Sequence, residues 1–395
     1  MKFKKRYAAV VAVALTGAAV AILPMATSNA AAACAPAWSA SQVYVGGNTA
    51  SQSGHNYRAK WWTQNESPAT HSGQWDVWAD QGACGGTTPP TTPPTTGPTS
   101  PPSTGTKMAA APYIYPGWGN PPAPSTVMNA TGVKAFTIAF VLANGCNPVW
   151  DGEGGLTGGA HASTINAIRA AGGDVVPSFG GWSGNKLGPN CATPDLLAGA
   201  YQKVIDAFAL KAIDIDIENT DEFENPTVQD RIVGALKIVK QRKPSVKTIL
   251  TFGTTPNGPS PTGVRLINQA KALGANVDIF AQMPFDFGGG ADMYASTVGA
   301  SEGLKNRLKT TFGYTDAQAY SHMGISGMNG LSDQQEVTSP QTWTRIRDYA
   351  KSKGFARFTF WAVNRDRGCP GGGVVSTCSG IAQPDWEFTR ISAGF

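Results

Sequence analysis

The chain has 395 residues, enough for more than one domain, and a net charge of only +5. Apart from Lys2, Lys4, Lys5 and Arg6 it carries no basic run, which argues against nucleic acid as a main partner. Charged residues make up 14% of the chain, and Gly, Ser, Thr, Asn and Pro fill much of the remaining polar surface, which suits a neutral ligand.

The basic start is followed by an apolar run, 8–23, and by the small residues Ser28, Asn29 and Ala30, the pattern of a cleaved export signal over 1–33. A membrane anchor is the competing reading, but the run is Ala-rich and short for a span. The mature chain is therefore expected to be secreted, free of the membrane and monomeric. Its six cysteines then sit in an oxidising compartment where disulfides persist. The economical pairing is Cys34 with Cys84, Cys146 with Cys191, and Cys369 with Cys378, although spacing alone does not fix connectivity. No CxxC pair occurs and histidine is scarce, so neither a zinc site nor any other metal or cofactor is expected.

Residues 34–84 form a unit too small for a large core and are expected to be all-β, stapled by their terminal cysteines. The unit is crowded with aromatics: Trp38, Tyr44, Tyr57, Trp61, Trp62, Trp75 and Trp78. Some must be core, and the rest offer flat faces on which pyranose rings stack. Trp61 and Trp62 would point opposite ways on a strand, so one of them is core. Residues 85–108 are a Thr/Pro-rich spacer that cannot bury a core.

The large unit, 109–395, shows eight apolar segments separated by helix-like stretches: 113–118, 135–142, 174–179, 212–217, 247–252, 277–283, 319–325 and 357–363. This alternation predicts an α/β fold, a (β/α)8 TIM barrel. An open doubly wound sheet is the runner-up, but no GxGxxG or phosphate loop stands at a strand end. No GxSxG elbow supports a serine hydrolase either.

The fourth segment reads Asp214-Ile215-Asp216-Ile217-Glu218. On a strand the three carboxylates share one face and the isoleucines the other. An edge strand with acids facing water would give the same alternation, but the flanking helical stretches, 196–210 and 228–240, imply a buried parallel strand. Stacked buried acids are costly and do not serve stability. They do serve chemistry on a glycosidic bond, which needs a carboxyl that holds its proton near neutral pH. Glu218 falls at the C-terminal end of this strand, the catalytic end of a barrel. Other strand ends carry Ser178-Phe179-Gly180-Gly181-Trp182, Gln282-Met283-Pro284-Phe285-Asp286, and Trp361. The glycines could mark a bulge, Asp286 could cap a helix, and Trp361 could fill the barrel, but together they outline a site.

The stretch Val43 to Gly47, with Tyr57-Arg58-Ala59-Lys60-Trp61-Trp62, resembles carbohydrate-binding modules of families 5 and 12. The large unit resembles the catalytic domain of glycoside hydrolase family 18, the bacterial chitinases. Ser178, Gly180 and Gly181 match the family SxGG motif, and Asp214, Asp216 and Glu218 match the last three acids of DxxDxDxE. Met283 and Asp286 match MxYD. The resemblance implies Glu218 as general acid, Asp216 as the group that orients the substrate acetamide, and Asp214 as its inner partner. It makes Trp361 the floor of the cleavage subsite, with Gln282, Met283, Asp286, Ser178, Gly180 and Gly181 around the sugar and Tyr57, Trp61 and Trp62 on the small unit. Lys211 stands where the first aspartate of the motif would be, and Phe285 where many members have tyrosine. Asp216 and Glu218 lie about 6–7 Å apart along one strand, poorly placed to address opposite faces of a sugar. Attack would then come from the substrate's own acetamide, with retention of configuration. The implied activity is hydrolysis of chitin and chitooligosaccharides. A non-catalytic chitin-binding lectin and an endo-β-N-acetylglucosaminidase remain as alternatives. Little room for an insertion between the sixth and eighth strands leads us to expect an open cleft and internal cutting.

Overall fold

A computed structural model describes residues 32–60, 63–73, 76–85, 107–152 and 154–395. All but the last two residues of the expected signal, most of the spacer and the aromatics Trp61, Trp62 and Trp75 lie outside these residues. The chain divides into two compact units.

The small unit is antiparallel. Strands β1 (Val43–Tyr44) and β4 (Thr63–Gln64) pair, and β2 (Thr49–Gln52), β3 (His55–Ala59) and β5 (Trp78–Ala83) form a three-stranded sheet. Its core is Tyr44, Ala50, Tyr57, Ala59 and Trp78. The Tyr44 and Trp78 rings meet edge to face at 4.9 Å, and the Trp78 indole donates to the Glu66 carbonyl at 2.8 Å. Tyr57 therefore does not serve as an exposed sugar platform: in so small a unit its ring is needed inside, where it is 6% exposed. Cys34 and Cys84 close the unit.

The large unit contains strands β6 (Tyr113–Ile114), β7 (Ala135–Asn144), β8 (Asn147–Trp150), β9 (Asp174–Gly180), β10 (Ala212–Ile217), β11 (Lys247–Gly253), β12 (Ile279–Met283), β13 (Met323–Met328), β14 (Gly330–Leu331), β15 (Val337–Thr338) and β16 (Arg357–Trp361). Eight of these run side by side in the order β6-β7-β9-β10-β11-β12-β13-β16, each pair parallel. Met108 N–H donates to the Ala356 carbonyl at 2.8 Å and Ala111 N–H to Phe358 at 3.2 Å, so the segment before β6 meets β16 and closes the barrel. The helices are α1 (Pro124–Thr131), α2 (Gly159–Ala170), α3 (Leu187–Asn190), α4 (Pro194–Phe208), α5 (Pro226–Arg242), α6 (Pro261–Leu273), α7 (Met293–Phe312), α8 (Asp316–Ser321), α9 (Pro340–Lys353) and α10 (Glu387–Ala393). Proline opens α4, α5, α6 and α9 just after Thr193, Asn225, Ser260 and Ser339, whose side chains accept from backbone N–H groups of the first turn.

On β10 the alternation resolves as the sequence implies. Ile213, Ile215 and Ile217 join one apolar layer with Leu197 and Val204 of α4 and Ile232 and Leu236 of α5. Asp214 and Asp216 are buried on the other face, inside the barrel. The seventh strand differs from expectation. It begins at Met323, because Thr315 makes a capping box with Gln318 and pulls 316–321 into α8. The first and eighth strands end earlier than expected, at Ile114 and Trp361, where the chain leaves the sheet to build the barrel mouth. The expected bridges Cys146–Cys191 and Cys369–Cys378 are both formed. Among the described residues no helix is long and apolar enough to cross a membrane.

Candidate active site

At the mouth of the barrel, where the parallel strands end, lies a cleft of about 550 Å³. Asp216 and Glu218 reach it from β10, Met283, Phe285 and Asp286 from the end of β12, and Trp361 from the end of β16.

The acid strand is built from the inside outward. Asp214 is fully buried, and its carboxylate accepts from the hydroxyls of Tyr113 (2.7 Å), Ser178 (2.7 Å) and Thr251 (2.6 Å), with the Arg357 guanidinium at 3.8 Å. Both carboxylate oxygens thus have hydrogen-bond donors in that buried position, Oδ2 two and Oδ1 one. Two residues on, Asp216 is 4% exposed, and its Oδ1 has no partner in the fold. Burial first, then the neighbouring Glu218 and Asp214 charges, push its carboxyl well above the ordinary range. At Glu218 the strand ends: Asn219 adopts a left-handed φ of 67°, and Asn219–Phe223 form a single π-type turn. Burial raises the Glu218 carboxyl to about 7, against the lowering influence of Lys186 and with a smaller push from Asp286. A carboxyl at that value is half protonated at neutral pH and can act as both acid and base.

The SxGG residues act behind the cleft and do not line it. Ser178 pairs in register with Asp214, and Gly180 with Asp216. A Cβ on Gly180 would lie 2.3 Å from the Asp216 carbonyl oxygen, and one on Gly181 2.9 Å from the Phe140 ring. Only glycine lets β9 approach the acid strand this closely. Gln282 is also behind the wall, 1% exposed and bonded to the Thr254 hydroxyl. These four are corrected from sugar contacts to supports, since their side chains or missing side chains serve packing. Lys211 points to solvent and pairs with Asp174 at 2.8 Å, outside the cleft.

Trp361 stands in an aromatic box: its ring stacks on Phe140 at 5.5 Å and meets Tyr113 at 5.7 Å and Tyr115 at 6.1 Å. Asp286 takes a left-handed φ of 60° and accepts from the Gln334 N–H at 3.3 Å. Burial and the nearby Asp333 charge raise its carboxyl.

Several cleft residues escaped sequence reasoning. Trp118, 56% exposed, flanks the opening with Trp182, 68% exposed, which the sequence placed at a strand end without a role. Exposed tryptophans at strand ends are a signal that could have found them. Asp151, Asp333 and Arg365 also line it. Asp151 and Asp333 come from loops and Arg365 from the short 3-10 turn Val363–Arg365, and nothing in local sequence fixes where those segments go. Among the described residues no cluster of His, Cys, Asp and Glu could hold a metal ion.

Residues 37–79 match carbohydrate-binding module family 5/12. The chain is 27% identical to the probable bifunctional chitinase/lysozyme of Escherichia coli (strain K12), across 91% of this chain and 49% of that protein. It is 29% identical to endochitinase 11 of Metarhizium anisopliae, across 59% of this chain and 48% of that protein. The chain thus spans about half the length of the curated relatives it matches. Among solved structures it is similar to catalytic-site mutants of active domain 2 of a thermostable chitinase from Pyrococcus furiosus, complexed with chito-oligosaccharides. That likeness has a TM-score of 0.67 and 27% identity, and it covers 73% of this chain and 94% of the other.

Proposed function

We propose that this chain, a family 18 glycoside hydrolase barrel joined to a family 5/12 carbohydrate-binding module, hydrolyses the β-1,4 linkages of chitin. The observation that carries the reading is the pair on β10. Glu218 has its carboxyl raised to about 7 at the cleft floor, and two residues before it Asp216 keeps a buried oxygen without a partner.

In this mechanism Glu218 gives its proton to the glycosidic oxygen as the C1–O bond breaks. The acetamido oxygen of the same sugar forms the new bond to C1, producing a cyclic oxazolinium ion. Asp216 accepts from the acetamido N–H, which satisfies the unpartnered Oδ1 and turns the oxygen toward C1. Glu218, now a carboxylate, takes a proton from water as the water attacks C1 from the face the leaving group vacated. The acetamide is restored and the β configuration retained. Trp361 and the aromatics around it offer the flat floor on which a pyranose ring stacks. Two carboxyls on one strand favour this route over a second protein nucleophile, which would need a group on the opposite face of the sugar. The small unit would hold the barrel to solid polymer, and three disulfides favour export to an oxidising compartment.

The test is Glu218→Gln on a soluble chitin oligomer. We expect turnover to fall by about 10²–10⁴-fold with folding retained, and the wild-type product to appear first as the β anomer by proton NMR. Wild-type-like turnover of the variant would remove Glu218 from its role, and an initial α anomer would rule out the acetamide route.

A further inference from the structure

Lys186 lies under the active site, and the mechanism above does not use it. Its side chain is 1% exposed, a position lysine rarely takes without a partner. It stands at the entry to α3, and its ammonium donates to the Glu218 carbonyl oxygen at 3.1 Å and to the Asp221 carboxylate at 3.0 Å. The first contact is to the backbone of the proton donor itself. The second partner is 42% exposed, so water weakens the Asp221 charge only in part and leaves the buried ammonium incompletely compensated.

Several charges act on Glu218 from the surrounding elements. Asp286 approaches from the loop after β12, Glu222 from the turn after β10, and Asp216 from β10 itself. Deeper in the barrel, Asp214 and Arg357 face each other. Burial raises Asp216, Glu218 and Glu222, and in all three Lys186 opposes the rise.

Resting on the hydrolytic reading above, we propose that Lys186 is a positioning residue: its ammonium anchors the backbone of Glu218 and sets the pH at which that carboxyl releases its proton. A merely structural lysine would affect stability and leave the pH response of the reaction where it was.

The test uses the full chain and the pH profile of kcat/KM on a soluble chitin oligomer. The alkaline limb reports loss of the essential proton in the free enzyme. Lys186→Met removes a positive charge near a carboxyl, so the limb is expected to move up by about one pH unit. Lys186→Arg keeps the charge and is expected to return the limb to its wild-type position. Asp221→Asn changes a part-exposed side chain, leaves the ammonium less compensated, and is expected to move the limb down. A folded Lys186→Met protein with an unmoved limb overturns the proposal, as does an equal shift in the Met and Arg variants. Should Lys186→Met fail to fold, an unmoved limb in Asp221→Asn overturns it. Glu218→Gln separates the two readings. If hydrolysis survives that change, the catalytic reading falls and this inference with it. If hydrolysis is lost while the Lys186 variants leave the limb in place, only this inference falls.

Discussion

Glu222 shows how much charge chemistry the barrel mouth carries beyond Asp216 and Glu218. It is 3% exposed, its Oε2 has no partner, and burial raises its carboxyl to about 8 from 4.5. Between those values the folded chain keeps a proton that the unfolded chain has released. Its contribution to stability is therefore present at low pH and lost as pH rises through about 8. A whole retained proton gives a slope of about 1.4 kcal/mol per pH unit. Glu218, raised to about 7, and Asp366, raised to about 6, act with the same sign. Glu222→Gln should flatten the fall of the urea midpoint between pH 5 and 8, and identical slopes in the two proteins would contradict this. At this scale the sequence was legible for Asp214, Asp216 and Glu218, because strand alternation alone puts three acids on one face. It was not legible for Glu222 or Lys186. Their burial comes from α3 and the turn after β10 folding over each other, a tertiary fact with no local pattern.

Among the elements, α10 depends on a distant residue. Its N-cap, Trp386, has a left-handed φ of 58° and no capping side-chain bond. The missing acceptor is Asp366, which is fully buried and accepts from Phe388 N–H (3.1 Å), Thr389 N–H (2.7 Å), the Thr389 hydroxyl (2.7 Å) and the Gln383 amide (2.7 Å). In return α10 places Phe388 against Phe360 and lets Ser392 accept from the Trp343 indole at 2.9 Å. Asp366→Ala leaves two buried N–H groups without acceptors and should lower stability by about 2–4 kcal/mol, read from denaturant unfolding. An unchanged midpoint would show that α10 is held by packing alone. The barrel strands were mostly legible because buried parallel strands read as apolar runs between helices. The misplaced seventh strand shows the limit. Residues 319–321 are apolar enough to extend a strand, yet the cap at Thr315 commits them to a helix. The hairpin of β14 and β15 was invisible for another reason: two-residue strands carry no period.

Across the whole molecule, each of the two units has its own core. On the proposed reading, hydrolysis of a soluble oligomer would need only the barrel, whereas attack on solid chitin would gain from a tether that raises local concentration. A chain of residues 107–395 should match the full chain on a soluble oligomer and fall behind it on insoluble chitin, measured as released reducing ends. Equal rates on the solid would leave the small unit without a part in polymer attack.

Each sulfur finds its mate inside its own unit, at sequence separations of 50, 45 and 9. No disulfide therefore joins one unit to the other. Evolution or an engineer could lengthen, shorten or recompose the Thr/Pro stretch, or exchange one half for another, without orphaning a single thiol.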